Sequence, residues 1–522
     1  MARARRAAVR ILVAGAALLC AWAVWVSTLG TPAPANLLPA GADAVVELHE
    51  VGEVVEGVAG TRFAAAFAKS AIRQWLERTD AVTALDGLLG GVRQATGIPL
   101  GRMSVLHLVG EEAVWASYPR EGTPDADLRW VAGCRLSLRA WAVAGVLRIA
   151  ERFVPAAGVT RAEVAGRPVF TVGGAGGRPL YLFLAGRTLL LSPDGDLAAK
   201  AAQAAGGGAP AMPFDPALQA IRGALPAHGE IFLWGRGAEG AHAPGLAGLP
   251  AYRGAGARIR LAKTIEIDAA AEPATGRSAA AERGVHRLPA VALLKRRPLA
   301  FISSRTDPPG FLIDLLQERL WTAARRGAAA RAESPVSPAG GYALALTEGA
   351  AGKGLLPAPR GLIAIGMKDA FAARAALPRL FPPGARSAPA GAVTALASRE
   401  SIPLAGSFDL WGAAIGQDLV FATDTGLIEA AGQAAAMPGA SREEAPGWQV
   451  DTVAALSVEQ ALPLLRRWVP PLSGLIAARW PGIPDLTRDL ELLAAVRSVR
   501  VTVGSDDRRD RALATILLRD LP

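Results

Sequence analysis

The sequence predicts an α+β fold with two tandem related modules, each an antiparallel or mixed sheet covered by helices, after an N-terminal transmembrane helix. Three observations support this prediction. A basic N-terminus precedes a run of nineteen uncharged residues. A long segment of the chain occurs twice. Each copy of that segment alternates between strand-like and helix-like hydrophobic periods, which predicts sheets covered by helices on one face.

The first element is a membrane anchor. Residues 1–10 carry four arginines, and the uncharged run Ile11–Leu29 follows them. At the helical rise, nineteen residues nearly cross a hydrocarbon core of about 30 Å. The arginines predict a cytoplasmic N-terminus, so the rest of the chain is expected on the outer side of the inner membrane. The alternative is a cleaved secretory signal, because Ala33–Ala35 reads "APA", a small-residue cleavage pattern.

The second observation is the repeat. "LYLFLAGRTLLLSPDGDLAAKAAQAA" begins at Leu180, and "LWGAAIGQDLVFATDTGLIEAAGQAA" begins at Leu410, an offset of 230 residues. Each copy predicts two strands joined by a tight turn and followed by a helix. Gly186 and Gly416 supply positive φ in the turns. Asp194 and Asp424 are predicted as helix N-caps, and a catalytic aspartate is the alternative for that position.

Weaker similarity extends the two copies into modules over residues 37–275 and 298–522. The intervening residues 276–297 are small, polar and punctuated by proline and glycine, which is typical of a linker. The segment Thr61–Gly97 has a helical pattern without a counterpart in the second module. Its apolar residues recur every four positions as expected for a core-facing stripe, with a hydrophobic ligand wall as the alternative: Phe63, Phe67, Ala71 and Trp75.

The composition excludes several kinds of chemistry. Cys20 lies in the apolar run and leaves Cys134 alone, so neither a disulfide outside the anchor nor a cysteine metal cluster is expected. No H-E-x-x-H, G-x-S-x-G or complete phosphate-loop motif occurs. The net charge of +10 includes the N-terminal arginines, and no nucleic-acid partner is predicted. The five histidines show no metal-ligand spacing, and the first two are predicted to be structural strand residues: His49, His107, His228, His242 and His286. The sequence therefore predicts no catalytic, cofactor-binding or metal-ligating residue and no cofactor.

Three motifs of the chain are similar to those of a known protein family. "LLPAGADAVVEL" spans Leu37–Leu48, "AGRPVF" spans Ala165–Phe170, and a hairpin-to-helix pattern runs from Tyr181 to Asp194. With these motifs the chain resembles a bacterial membrane-anchored envelope protein family of unknown function, whose members follow an N-terminal anchor with an "LPAdA"-type start of the first strand. The form "PAGADA" departs from that pattern. The resemblance implies a location and an architecture, and no activity or catalytic residues.

Three functions are compatible with these observations. The first is a non-enzymatic binding or scaffolding role in the cell envelope, anchored in the inner membrane. The second is a carrier of lipid or another apolar ligand in a groove between sheet and helices or between modules. The third is an envelope hydrolase. The first two differ in whether the apolar volume is filled by side chains or left open.

Overall fold

A computed structural model of the chain describes residues 31–53, 62–69, 109–119, 129–137, 159–164, 166–173, 179–237, 252–261, 264–273, 298–305, 338–350, 359–381, 384–402, 406–436, 449–464, 466, 494–505 and 509–518. The chain divides into two compact units. The first comprises Met1–Gly60 and Gln74–Leu261, and the second comprises Thr61–Arg73 and Ala262–Pro522.

The described strands of the first unit are β1 Ala44–His49, β2 Val109–Tyr118, β3 Arg129–Leu136, β4 Val159–Val164, β5 Arg167–Gly173, β6 Pro179–Ala185, β7 Thr188–Ser192, β8 Ile231–Arg236 and β9 Tyr252–Leu261. Those of the second unit are β10 Thr264–Pro273, β11 Ala300–Ser304, β12 Pro338–Ala350, β13 Pro359–Met367, β14 Arg386–Ala390, β15 Val393–Ile402, β16 Gly406–Ile415, β17 Asp418–Ala422, β18 Gln449–Leu456, β19 Val496–Ser505 and β20 Asp510–Leu518. The α-helices are α1 Arg62–Phe67, α2 Gly195–Ala205, α3 Pro216–Arg222, α4 Ala370–Leu380 and α5 Thr425–Ala436, and 3-10 turns occur at Pro34–Leu37 and Met212–Phe214.

Each unit contains an antiparallel sheet. The strand order in the first unit is β9-β8-β1-β2-β3-β7-β6-β5-β4. The second unit has the order β10-β20-β19-β18-β11-β12-β13-β17-β16-β15-β14. The part of the second sheet that runs from β19 to β14 therefore has the same strand order as the whole first sheet, from β9 to β4. The two copies of the repeated segment form the same elements, β6-β7-α2 in one unit and β16-β17-α5 in the other.

The second unit has apolar clusters on both faces of its sheet. Along β17, Val420 and Ala422 pack in one cluster with α5, whereas Leu419 and Phe421 pack in the other with α4. This alternation follows from the two-residue period of a strand, which places successive side chains on opposite faces. Strand β16 contacts both helices. The expectation that helices cover only one face of the sheet is therefore wrong for this unit. The strands that lie between α4 and α5 have apolar side chains on both faces, so each face packs against a helix.

The predicted α+β class is also wrong as a description of the whole chain. Strands make up 56% of the described residues and helices 24%, so most of the described structure is antiparallel sheet and the helices do not form a general covering layer. All strand pairings in the described parts of the two sheets run antiparallel, which leaves no mixed sheet there. The physical reason is length: the α-helices span 6 to 12 residues, and each covers only a few strands.

The predicted transmembrane helix, Ile11–Leu29, lies outside the described residues, as do the linker 276–297 and most of Thr61–Gly97. Within the described ranges, no helix combines the length and apolarity needed to span a bilayer.

Candidate functional site

Three side chains form a charged row across neighbouring strands of the first unit. Glu47 on β1 lies opposite Phe232 on β8, and Phe232 lies opposite Arg258 on β9. Directly opposed residues of antiparallel strands share a face of the sheet. All three are buried, and Glu47 and Arg258 are only 5% and 8% exposed. A carboxylate and a guanidinium thus lie on either side of a phenyl ring within the fold.

Two further side chains complete this site, the Glu47 cluster, defined as Glu47, His49, Arg222, Phe232 and Arg258. Arg222 Nη2 donates to Glu47 Oε1, and His49 Nε2 lies 3.6 Å from Glu47 Oε2. The guanidinium carbons of Arg222 and Arg258 lie 5.1 Å and 5.3 Å from the centroid of the Phe232 ring, within cation–π range.

Helix α3 positions Arg222 over the sheet. The helix begins at its N-cap Asp215, whose carboxylate accepts hydrogen bonds from the backbone N–H groups of Ala217 and Leu218. The other carboxylate oxygen of Asp215 pairs with Arg236 at the end of β8, 2.5 Å away. Because Arg222 is the last helical residue and pairs with Glu47, ion pairs join both ends of α3 to the strands beneath it.

The Glu47 cluster carries more positive than negative charge, since two guanidiniums face one carboxylate. Burial lowers the pKa of Arg258, the Glu47 carboxylate raises it, and the nearby Arg222 lowers it, with a net lowering. Arg258 Nη1 donates to the carbonyl of Ala227, but the buried Arg258 Nε has no hydrogen-bond partner in the described structure. The Glu47 carboxylate is therefore the principal group that stabilises the buried charge of Arg258.

The second unit has a neutral row at the corresponding place. There Ser303 on β11 lies opposite Val453 on β18, and Val453 lies opposite Thr502 on β19. These three residues are also buried. Since the two sheets share their strand order, the fold itself does not require charge at these positions. The Glu47 cluster is a specific property of the first unit.

A second polar arrangement occurs in both units and is structural. Arg129 Nε donates to Asp194 Oδ2 at 2.6 Å, and Arg360 Nε donates to Asp424 Oδ2 at 2.7 Å. The other oxygen of each carboxylate accepts the backbone N–H of Leu197 or Leu427 in the following helix. The prediction that Asp194 and Asp424 cap helices is confirmed. The arginine partners, which begin equivalent strand segments, were not predicted from the sequence.

Replacing Asp194 by alanine is expected to destabilise the first unit by about 1 kcal/mol at neutral pH, the usual effect of losing an N-cap. Burial raises the pKa of Asp194, but the N–H groups of Leu197 and Asp196 and the Arg129 guanidinium outweigh it, so the pKa is lowered. A lowered folded-state pKa means that this stabilisation is present above the unfolded-state value of about 4 and disappears as the pH falls below it.

Urea unfolding of the wild type and Asp194→Ala between pH 7 and pH 3 tests this expectation. The difference between the two proteins should be constant above about pH 5 and should shrink below about pH 4. Asp196→Ala is the control, because that side chain lies in the first turn of the same helix but caps no N–H group and is 61% exposed. A difference that grows towards acid pH would contradict the assignment.

The structure describes the two turn glycines, Cys134 and some of the histidines for which the sequence made predictions. Gly186 and Gly416 both have φ of 60° in two-residue turns, as predicted. Cys134 lies on β3 as predicted and is partly buried, and burial raises the pKa of its thiol to about 11. His49 lies on β1, whereas His107, His242 and His286 lie outside the described residues. No cluster of three or more potential metal ligands occurs among the residues that the structure describes.

Sequence reasoning missed the Glu47 cluster. One indication was present: in "AVVELH" of β1 the buried phase contains Val45 and Glu47, which places a carboxylate where a core residue is expected. A charge in the buried phase of a strand requires a partner. The partner residues, Arg222 and Arg258, are too distant in the sequence for the pattern of β1 to identify them.

Comparisons with known proteins identify no family for this chain. No family model matches it, and no curated protein or solved structure matches it either.

Proposed function

We propose that the chain is an inner-membrane-anchored extracytoplasmic protein with a non-enzymatic binding or scaffolding role in the cell envelope. The observation that carries this proposal is the filling of the described helix–sheet interfaces by side chains in direct contact. Binding then uses the outer surfaces of the units, and a partner is recognised without being enclosed. Helix and sheet provide a rigid frame for such surfaces.

Close packing between helix and sheet disfavours a carrier with a groove at these interfaces. A Cβ atom added at Gly256 would lie 2.7 Å from Ile221 Cγ2 of α3, and one added at Gly412 would lie 2.6 Å from two ring atoms of Phe381, which follows α4. Helix and strand thus approach so closely that only glycine fits beneath them. A lipid chain needs an open apolar volume, and these two places offer none.

The chemistry of the Glu47 cluster disfavours a hydrolase. Glu47 is bound to Arg222, and its other oxygen faces His49, so the carboxylate acts as the counter-ion of a buried charge. The five residues of the cluster include no hydroxyl or thiol nucleophile of the kind that covalent hydrolysis uses. A stabilising role for the cluster accounts for its geometry.

Contacts of the residues after the apolar run support an uncleaved anchor. Thr188 Oγ1 donates to the carbonyl of Pro32 at 2.7 Å, and Thr188 is fully buried. Cleavage after Ala35 would remove Pro32 and with it this hydrogen bond, whose net contribution to stability is about 0.5–1.5 kcal/mol. The first unit therefore gains stability from residues on the N-terminal side of the potential cleavage site.

The anchor and topology are tested with paired reporters fused after Pro522. Alkaline phosphatase, which matures outside the cytoplasm, is expected to be active, and a green fluorescent protein fusion is expected to be dark. Intact mass should show that the mature chain retains the residues before Thr31. An inactive phosphatase with a bright fluorescent fusion would overturn the topology, and a chain beginning at Asn36 would overturn the anchor.

The binding role is tested by native mass spectrometry of the full chain released from its own membranes, combined with crosslinking in those membranes. The expected result is a lipid-free mass after mild activation and crosslinks to the same protein in independent preparations. A lipid retained in a fixed ratio would instead support the carrier, and substrate turnover by the purified chain would support the hydrolase.

A further inference from the structure

The residues that follow the predicted anchor are built into the first unit. The carbonyl of Leu38 accepts the N–H of Met212 at 2.8 Å, and Ala40 N–H donates to the carbonyl of Pro210 at 3.2 Å. The Tyr118 hydroxyl donates to the carbonyl of Pro39 at 2.9 Å. The side chains of Leu37 and Leu38 are buried. Hydrogen bonds to β2 and to the segment before α3, together with buried leucines, fix this stretch of chain to the unit.

The start of this segment lies at the turn between β6 and β7. A Cβ atom at Gly186 would lie 2.9 Å from Thr31 Oγ1, and Thr188 binds the carbonyl of Pro32. The apolar run ends at Leu29, so only Gly30 separates it from Thr31. Two Cα–Cα steps span at most about 7 Å. The sequence therefore leaves no room for a flexible linker between the predicted anchor and the β6–β7 turn.

We propose that the end of the first unit formed by the β6–β7 turn rests directly on the headgroup layer of the membrane's outer surface. This inference rests on the proposed function, because it requires Ile11–Leu29 to span the membrane. The anchor then does more than retain the protein, since it orients the first unit with one end of its sheet against lipid. The partner of this surface is the lipid bilayer itself.

The strand order identifies which exposed residues share this end. The N–H of Leu136, the last residue of β3, donates to the carbonyl of Arg187 in the turn at 2.8 Å. Glu111, near the start of β2, pairs with Arg135 at 3.1 Å and is 67% exposed. Strands β7, β3 and β2 are consecutive, so Glu111 lies two inter-strand spacings, about 10 Å, from β7. Glu111 therefore belongs to the proposed membrane-facing end.

Asp196 marks the opposite end of the same sheet. It comes shortly after Ser192, the last residue of β7, and lies in the first turn of α2. Its side chain is 61% exposed. The length of β7 alone separates it from the β6–β7 turn by about 13 Å. Each of the two acidic side chains makes surface ion pairs, Glu111 with Arg135 and Asp196 with Lys200 among others. Such exposed pairs contribute little stability, so cysteine replacements at the two positions are well matched.

The experiment places an environment-sensitive fluorophore at each end of the sheet in the full chain. Cys20→Ala and Cys134→Ala provide the background, and Glu111→Cys and Asp196→Cys are labelled with nitrobenzoxadiazole. Each protein is inserted into vesicles of phosphatidylethanolamine and phosphatidylglycerol with and without a headgroup nitroxide lipid. We expect a large loss of emission at position 111 and little loss at position 196. Gly52→Cys, three residues beyond β1 at the same end, provides a second label should the Glu111 variant not fold.

A linker insertion tests whether the short connection to the anchor holds the β6–β7 end of the unit against the membrane. Twenty Gly/Ser residues between Gly30 and Thr31 allow a separation of about 25 Å. We expect this insertion to abolish the loss of emission at position 111 while the chain stays in the membrane. Raising the salt concentration should leave the loss in the uninserted chain unchanged, because a covalent constraint, unlike attraction between exposed charges, is not screened.

The outcomes separate this inference from the proposed function. A chain that alkaline carbonate extracts from the vesicles has no membrane span, which would overturn the proposed function. A chain that resists extraction but shows equally small losses at positions 111 and 196 would overturn the orientation alone. Equal losses with and without the inserted linker would also overturn it, since adhesion of the unit to lipid would then be independent of the short connection.

Discussion

Replacing Glu47 by serine is expected to destabilise the first unit by about 1–3 kcal/mol, because Arg222 loses its ion-pair partner and the buried Arg258 loses the carboxylate that favours its charged form. Arg258 is more than nine-tenths buried and would keep its charge without a carboxylate in the cluster. Arg222 is less affected, because its side chain is 31% exposed and can turn to solvent. The loss should be measured by urea unfolding, with hydrogen exchange of the β1 and β8 amides to localise it.

The neutral row of the second unit supplies the control for this prediction. Adding Arg258→Thr to Glu47→Ser gives the serine and threonine found as Ser303 and Thr502. The double variant is expected to be more stable than Glu47→Ser alone, with a coupling of about 1–3 kcal/mol, because no unpaired charge remains buried. Additive losses, or a Glu47→Ser protein as stable as the wild type, would show that the cluster is not an energetic unit.

Gly256→Ala is expected to destabilise the first unit by about 1–3 kcal/mol through overpacking. The new methyl group would lie 2.7 Å from Ile221 Cγ2 and 2.7 Å from the carbonyl oxygen of Leu233. The isoleucine can shift only by moving α3, and the carbonyl belongs to the neighbouring strand β8. The strain should also loosen the contact of Arg222 with Glu47, because both ends of α3 are held by ion pairs.

Gly432→Ala is the matched control for this substitution. Gly432 lies in α5 and has no neighbouring atom within 4 Å of the added Cβ. Alanine there should stabilise the second unit by about 0.5–1 kcal/mol, since glycine loses more backbone entropy in a helix. Urea midpoints of both variants give the comparison. If Gly256→Ala also stabilises the protein, α3 does not pack on β8 and β9 as closely as the structure shows.

Local features of the fold could be predicted because neighbouring residues determine them. The turn at Gly186 needs a positive φ that glycine adopts freely, and Asp194 caps the helix that begins one residue later. Both features recur at Gly416 and Asp424, which is why the repeat was visible in the sequence. The hairpins β6–β7 and β16–β17 follow from the same short patterns.

The arrangement of strands and helices could not be predicted, because it depends on contacts between distant segments. Nothing in the pattern of β17 states that α4 lies on one face and α5 on the other, although both of its phases are apolar. The Glu47 cluster has the same origin. Its carboxylate and guanidiniums become neighbours only when β1 pairs with β8 and β8 pairs with β9 in one register.

The position of β1 in its sheet bears on how the protein is made. β1 pairs with β2 on one side and with β8 on the other. The second edge of β1 therefore stays unpaired until Leu233 of β8, the partner of Val46, has been synthesised. At about 5–20 residues per second of synthesis, that interval is on the order of ten seconds or more. An open strand edge is a template for pairing with other chains. If export begins with the anchor, each nascent chain is tethered to the membrane throughout this interval, which keeps open β1 edges of different chains apart until β8 arrives.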